Sequence, residues 1–153
     1  MSNYDVFIGI DPGASGGIAV ITAADSWAIA MPETDFDMAK EVSHLARHVN
    51  SFCYLEKVHS MPRDGNVGAF SFGQNFGMIR QALTCNMIPY ELVPPQKWQK
   101  NLNLPTKQSC GGSITVKKNH HKTLAQQLFP HIKVTHKIAD ALLIAEFCRR
   151  TRR

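Results

Sequence analysis

The stretch that decides the fold stands at the start of the chain, where residues 4–13 read YDVFIGIDPG. The mostly apolar run from Tyr4 to Ile10 predicts a buried β-strand. Asp11-Pro12-Gly13 follows at once and predicts a turn. We therefore expect Asp11 to be held rigidly at the end of a central strand, with glycines leaving space above it for a phosphate or a metal ion.

Outward from this strand, the remaining sequence alternates between strand and helix patterns. The first three strands are joined by short connections, so we expect an antiparallel meander. The fourth strand follows a helix and is expected to lie parallel to the first through a right-handed crossover. This order predicts an α/β fold. The predicted elements after the first strand are strands over 17–22, 26–31, 52–58 and 90–93, helices over 38–49 (N-cap Thr34 or Asp35), 72–87, 118–129 and 138–149, a helical turn after Pro94-Pro95, and an edge extension at 132–134.

The length and net charge of the chain limit the classes of protein to which it can belong. Its 153 residues predict a single domain, 1–153, with loops at 60–71 and 104–116, the latter expected to be mobile, and a basic tail at 149–153. The net charge of +5, with 12 of the 17 Lys and Arg residues from Lys97 onward, favours nucleic acid as a partner, although solubility alone would also account for it.

Targeting signals and cysteine motifs are missing from the sequence. Neither a long apolar run nor a signal peptide is present, so no membrane association is predicted, and the expected setting is the cytoplasm or nucleoid of a bacterial or phage-infected cell. The four cysteines are scattered and are expected to be reduced. His120 and His121 do not match a recognised zinc-ligand spacing with any of them.

Three acids stand beside apolar segments that are far apart in sequence. Glu56 ends the run 52–55, and Asp140 lies within the apolar segment 138–145. If the first and fourth strands are neighbours, Asp11 and Glu56 meet at one edge of the sheet. Three clustered carboxylates repel one another and require a compensating charge, which Mg²⁺ or Mn²⁺ supplies. Two such ions can activate water and stabilise the leaving oxygen in phosphodiester cleavage.

Each acid also has an ordinary structural interpretation. Asp11 can serve only its turn, Glu56 can pair with Lys57 or Arg63, and Asp140 can stabilise a helix N-terminus. The metal hypothesis gains its weight from the conjunction of the three acids in the order strand, strand, helix.

Five segments of the sequence stand in this order along the chain: Ile8-Gly9-Ile10-Asp11-Pro12-Gly13, Leu55-Glu56-Lys57-Val58-His59-Ser60-Met61-Pro62, Phe70-Ser71-Phe72-Gly73-Gln74-Asn75-Phe76-Gly77, Val93-Pro94-Pro95-Gln96-Lys97-Trp98 and Thr135-His136-Lys137-Ile138-Ala139-Asp140-Ala141-Leu142. Together they resemble the RuvC-like Holliday-junction resolvases, in particular the phage and chloroplast-type branch of the RNase H-like superfamily. The resemblance implies an RNase H-like mixed five-stranded sheet flanked by helices, and a homodimer that makes paired nicks in a four-way DNA junction. It implies that Asp11, Glu56 and Asp140 bind two Mg²⁺ ions per site, which Mn²⁺ may replace, and that no nucleotide cofactor is needed.

The resemblance also suggests further site residues. The family often has Asp or His where this chain has Lys137; His136, four residues before Asp140, is similar to the chloroplast-type pattern and is the expected fourth metal ligand or proton carrier, unless it is only a surface histidine. Lys118 matches a family lysine near the scissile phosphate.

The expected DNA contacts lie on the loop before the predicted helix 72–87 and on the predicted helix 118–129. Phe70 is expected to reach the junction centre, whereas Phe72 and Phe76 have the helical spacing of core residues. Lys122 lies one helical turn after Lys118 and extends a basic face for phosphates, or only a solvated face.

Three rival functions remain open at this point. An RNase H-like nuclease acting on other nucleic acids would use the same carboxylates. A non-catalytic module that binds branched DNA would need only the basic C-terminal half. An ATP-binding domain of the actin or sugar-kinase type would use the glycine-rich turn, but those proteins need two such domains, for which the chain is too short.

Overall fold

The computed structural model describes residues 4–58 and 65–153, which form one five-stranded sheet with helices on both faces. In chain order its elements are β1 Val6–Asp11, β2 Gly17–Ile21, β3 Ser26–Ala30, α1 Asp35–Leu45, β4 Ser51–Glu56, α2 Gly65–Cys85, β5 Tyr90–Val93, α3 Pro95–Asn101, α4 Ile114–Leu128 and α5 His136–Arg152. The α/β fold with a mixed five-stranded sheet is therefore confirmed.

The sheet has the strand order β3-β2-β1-β4-β5. β1, β2 and β3 form the expected antiparallel meander, while β4 runs parallel to β1 and β5 runs parallel to β4. The parallel register pairs Ile10 with Leu55. Asp11 and Glu56, the next residues of their strands, consequently end two adjacent parallel strands at the same edge of the sheet.

Strand alternation divides the core into two layers. Phe7 and Tyr54 point to the layer that contains α3, α4 and α5, whereas Ile8 and Leu55 point to the layer that contains α1 and α2. The same alternation directs the side chains of Asp11 and Glu56 to the layer of α3, α4 and α5. Both strands thus present their terminal acid to α3, α4 and α5, the last three helices of the chain.

Helix α5 crosses this face of the sheet at very short range. A β-carbon at Gly9 would stand 2.2 Å from the Ala145 nitrogen and 2.3 Å from the Ala141 carbonyl oxygen. A β-carbon at Gly17 would stand 2.8 Å from the Lys137 carbonyl oxygen. Glycine is therefore required at both strand positions, because the backbones of strand and helix occupy the space of a side chain.

Helix α2 is longer than the sequence predicts. It begins at Gly65 instead of at residue 72, so the predicted loop over 60–71 is wrong from residue 65 onward; residues 60–64 lie outside the described residues. Val67 and Phe70 are 82% and 69% exposed. This first part of the helix has no inward apolar stripe, and hydrophobic spacing consequently does not reveal it.

In the basic C-terminal segment, residues 149–152 form the last turn of α5. Arg149 and Arg150 both donate hydrogen bonds to the carboxylate of Glu146 at 2.8 Å. The guanidinium of Arg152 lies 4.5 Å from the ring centroid of Phe52. Three of the cations in the predicted basic segment 149–153 therefore contact an acid or an aromatic ring of the fold.

Two further boundary predictions differ from the structure. The segment expected as a loop over 104–116 ends at Ser113, whose side chain accepts a hydrogen bond from the backbone N–H of Val116 and caps α4. Residues 132–134 form no strand in the part of the chain that the structure describes. The N-cap of α1 is Thr34, one of the two expected residues.

Across 4–58 and 65–153, no helix is long and apolar enough to cross a membrane.

Candidate active site

The structure brings the three predicted acids to one place. Asp11 and Glu56 end β1 and β4, and their carboxyl groups are hydrogen-bonded to each other. Asp140, from α5, lies close enough to raise the pKa values of both. Because α5 begins at His136, Asp140 lies beyond the first turn, so the interpretation of Asp140 as a helix-terminus residue is wrong. Glu56 makes no ion pair within the described residues, with Lys57 or otherwise; Arg63 lies outside them.

The pKa values show that negative charge at this edge is poorly compensated. Burial, followed by the charges of Glu56 and Asp140, raises the pKa of Asp11 to about 8, and the nearby ammonium of Lys118 only partly opposes this rise. Burial likewise raises the pKa of Glu56 to about 7, against a lowering by the hydrogen bond from Trp98. Near neutral pH the pair therefore retains a proton unless a cation takes its place.

Two buried side chains, one from α3 and one from α4, contact the carboxylates. The indole Nε1–H of Trp98, from α3, donates a hydrogen bond of 2.9 Å to Oε1 of Glu56. Nδ1 of His121, from α4, lies 2.7 Å from Oδ1 of Asp140. Both rings are buried, and they meet edge to face with centroids 5.5 Å apart. The helices α3, α4 and α5 thus all contribute side chains to the site.

Sequence reasoning did not assign Trp98 or His121 to the site. In the sequence, Trp98 stands in the helical turn after Pro94-Pro95 and in a segment that resembles the family, without being marked as a site residue. The apolar spacing of residues 118–129 predicts Leu124 and Leu128 on the inward face of that helix. In the structure those two leucines are partly buried, whereas His121 and Ala125 are buried. The spacing of one helical turn between residues 121 and 125 is the only sequence signal for this buried face.

The candidate metal ligands meet one requirement for a divalent cation and not another. Oxygen donors from three carboxylates with uncompensated charge suit Mg²⁺ or Mn²⁺. However, within 4–58 and 65–153 no group of three or more His, Cys, Asp or Glu side chains is arranged so that it could hold a metal ion. Asp11 and Glu56 are hydrogen-bonded to each other, and an ion bound between them would have to replace that hydrogen bond.

His136 is not brought into contact with the acids. It is the exposed first residue of α5, and it makes no hydrogen bond or ion pair with the described residues. The histidine that contacts Asp140 comes from a different helix, 19 residues earlier in the chain. The metal-ligand role of His136 stays a prediction.

The two candidate lysines differ in their relation to the site. Lys118 is exposed and close enough to Asp11 to lower its pKa. Lys122 follows one turn later on α4, is half-buried and borders a shallow groove with Asn119 and Gln126. The phosphate-binding roles of both lysines stay predictions, but the position of Lys118 beside an acid of the cluster is a structural finding.

Helix α2 contacts the turn after Asp11. The backbone N–H of Gly13 donates a hydrogen bond of 2.8 Å to Oδ1 of Asn75. Gly13 has a φ of +99°, and a β-carbon there would stand 2.9 Å from the ring of Phe72. Phe72 therefore covers the turn, while Phe76 packs against the core layer of α1 and α2. Phe70, whose DNA contact stays a prediction, is exposed on the same helix.

A cavity of about 850 Å³ opens between this turn, the segment before α1 and the first half of α2. Gly13, Phe72 and Asn75 line it together with Met31 and Asp35. The space therefore lies beside the turn that follows Asp11, on the side of the sheet that α2 covers.

Comparisons with known proteins identify the fold. No protein-family model and no curated protein matches the sequence. The structure of T. thermophilus RuvC in complex with a Holliday junction substrate matches with a TM-score of 0.64 and 16% identity, covering 94% of this chain and 92% of that chain. Another structure of Thermus thermophilus RuvC matches with a TM-score of 0.59 and 18% identity, covering 93% and 92%. The chain therefore has a RuvC-like fold, a mixed five-stranded sheet flanked by helices.

Proposed function

We propose that this chain is a metal-dependent endodeoxyribonuclease that resolves four-way (Holliday) DNA junctions by paired nicks. The observation that carries the proposal is the hydrogen-bonded Asp11–Glu56 pair beside Asp140, at the edge where two parallel strands end. The similar fold of a RuvC that is bound to a Holliday junction supports the choice of substrate.

Asp11, Glu56 and Asp140 are the residues that would hold Mg²⁺, two ions per site, with Mn²⁺ as a substitute; His136 is a further candidate ligand. The raised pKa values of Asp11 and Glu56 support this assignment, because a divalent cation would replace the proton that the pair otherwise retains. When bound, such ions activate water and stabilise the departing 3′ oxygen of a phosphodiester.

The protein's own side chains supply binding and orientation. Lys118, near Asp11, is positioned to offset charge on a phosphate that approaches the acids. Lys122 continues the basic side of α4 and binds neighbouring phosphates. Phe70, 69% exposed on α2, offers a ring on which an unpaired base at the junction centre stacks.

A homodimer fits this activity, because two symmetric cuts in a four-way junction match a partner with two-fold symmetry. The net charge of +5 favours binding to DNA. No nucleotide cofactor enters the proposed reaction. The setting that we propose is the cytoplasm or nucleoid of a bacterial or phage-infected cell, where recombination intermediates arise.

The deciding experiment compares a synthetic four-way junction with a linear duplex of the same sequence and an RNA–DNA hybrid, each incubated with Mg²⁺. We expect paired nicks in the junction and little cleavage of the other substrates. The matched control is Asp11→Asn, which keeps the size of the side chain and removes its charge. We expect this variant to bind the junction without cutting it.

Other outcomes of this experiment identify the rival functions. Equal or preferential cleavage of the hybrid would assign the chain to nucleases that act on other nucleic acids. Junction binding without cleavage by the wild type would assign it to non-catalytic modules that bind branched DNA. Cleavage that persists in Asp11→Asn would exclude this carboxylate cluster as the catalytic site.

A further inference from the structure

Behind the carboxylates, Trp98 and His121 form a buried unit that reaches two of them. Trp98 is fully buried and His121 is 3% exposed. Their rings pack edge to face, and each ring directs a nitrogen at a different acid: Trp98 Nε1 at Glu56, and His121 Nδ1 at Asp140. We propose that Trp98 and His121 are a positioning pair that holds Glu56 and Asp140 in the orientation needed to bind a divalent cation. This inference rests on the proposed function.

The hydrogen bonds of the pair are directional, which separates this role from simple core packing. The indole of Trp98 has a single donor, and it is used on Glu56 Oε1. A carboxylate oxygen only accepts, so the shared proton belongs to Nδ1 of His121 whenever Asp140 is ionised. The tautomer of His121 is then fixed by Asp140, and the orientation of Asp140 is restricted by a buried ring that packs against Trp98.

The other nitrogen of His121 supports a specialised role. Nε2 is buried and has no hydrogen-bond partner within the described residues. Buried polar atoms without a partner are rare and cost stability. A leucine at position 121 would fill the same space without burying an unpaired polar atom. Packing alone therefore does not explain why this residue is a histidine. The bond to Asp140 is the interaction that the imidazole provides.

The arrangement leaves part of each carboxylate unengaged by the pair. Trp98 occupies only Oε1 of Glu56, and His121 occupies only Oδ1 of Asp140. Holding one oxygen restricts the rotation of the carboxylate and directs the other oxygen. A cation then binds acids whose side-chain freedom has already been lost, which strengthens binding. The pair acts through Glu56 and Asp140 and itself contacts neither the ion nor DNA.

The test measures Mn²⁺ binding by calorimetry, without DNA, on the full chain. We expect His121→Ala and Trp98→Phe to weaken Mn²⁺ binding by about tenfold or more. We expect His121→Asn to recover much of the loss, because its amide N–H lies close to the position of Nδ1. The matched control is His120→Ala, the exposed neighbour on α4, which should bind Mn²⁺ as the wild type does.

Junction binding and thermal unfolding, measured on the same variants, identify a purely structural role. Junction affinity should be unchanged in His121→Ala and His121→Asn, while the Mg²⁺ concentration required for cleavage rises in His121→Ala. Unchanged Mn²⁺ affinity in His121→Ala, with only a lower Tm, would overturn the positioning role and leave the proposed function standing. A wild type that binds no Mn²⁺ would overturn the metal-dependent function itself, and the positioning role with it. Should Trp98→Phe fail to fold, the two His121 variants decide the question.

Discussion

Gly9 of β1 and Ala145 of α5 are in direct backbone contact: a β-carbon added at Gly9 would stand 2.2 Å from the Ala145 nitrogen. The contact lies two residues before Asp11 on the strand and little more than one helical turn after Asp140 on α5. It therefore sets how closely these two acids approach, since both elements are rigid over such short lengths.

Replacing Gly9 with alanine is expected to move α5 away from the sheet. The added methyl group meets backbone atoms, which cannot rotate away, so we expect a loss of stability of about 3 kcal/mol or more. Thermal unfolding measures the loss, and Mn²⁺ binding should weaken in parallel as Asp140 is displaced. Gly77→Ala on α2 is the matched control: nothing lies within 4 Å of its added carbon, and alanine favours the helix. A Gly9→Ala protein as stable as wild type would refute the close crossing.

Neutralising the acids one at a time should separate catalysis from binding. We expect Asp11→Asn, Glu56→Gln and Asp140→Asn each to lower the cleavage rate by several orders of magnitude, at little cost in junction affinity. Single-turnover cleavage and gel-shift titration measure the two quantities. Loss of junction binding in all three variants would show instead that these acids serve folding or DNA contact.

The pH dependence of stability should report the buried acid pair. Folding raises the pKa of Asp11 from 3.8 to about 8 and that of Glu56 from 4.5 to about 7, so the protonated forms favour the folded state. This contribution is complete below the ordinary pKa values and is lost as the pH rises toward about 8. In the absence of divalent ions, the Tm should therefore fall over this interval.

Adding Mg²⁺ should raise the Tm most at the alkaline end, where the acids are ionised and available to the ion. The double variant Asp11→Asn, Glu56→Gln should show a flatter pH dependence and a smaller response to Mg²⁺. An equal response to Mg²⁺ in that variant and in the wild type would place the bound ion elsewhere.

Asn75 is expected to connect α2 with the turn after Asp11. Asn75→Ala removes the acceptor of the Gly13 N–H, a hydrogen bond worth about 1 kcal/mol, and we expect cleavage at saturating junction to fall about fivefold. Asn75→Asp retains an oxygen at the same place and should recover part of the rate. A rate unchanged in Asn75→Ala would mean that the turn is held without α2.

Phe70 should matter for the junction and not for folding. Because its side chain is 69% exposed, Phe70→Ala is expected to leave the Tm unchanged within error. Loss of one base-stacking ring should weaken junction binding by about tenfold, as for other aromatic–base contacts. Val67→Ala, a substitution at a more exposed residue of the same helix, is the control. Equal effects of the two substitutions on junction affinity would remove Phe70 from the interface.

The sequence predicted the parts of the site that belong to strands. An apolar run that ends in an acid predicts where that acid lies, and the parallel pairing of β1 and β4 brings Asp11 and Glu56 together as expected. The third acid, Asp140, was placed with the help of the family resemblance. These features depend on local sequence patterns and on the order of the secondary-structure elements, and both can be derived from the sequence alone.

The supporting residues could not be found in this way. Spacing within a single helix led to His136 as the companion of Asp140, whereas the structure brings His121 to Asp140 from a different helix. The length of α2 was missed for a related reason, since its first two turns are exposed and have no apolar stripe. Such features arise only when separate elements pack, and no short-range pattern encodes them.

The contact of Gly9 with α5 affects which amino-acid substitutions the protein can tolerate. The contact is made by main-chain atoms, so it does not depend on the identity of a side chain. Only a substitution that places a larger residue at the crossing itself would disturb the contact. The separation of the acids is thereby insulated from substitutions over most of the surface. A scaffold of this kind can diverge widely in sequence and still keep the spacing of its acidic groups.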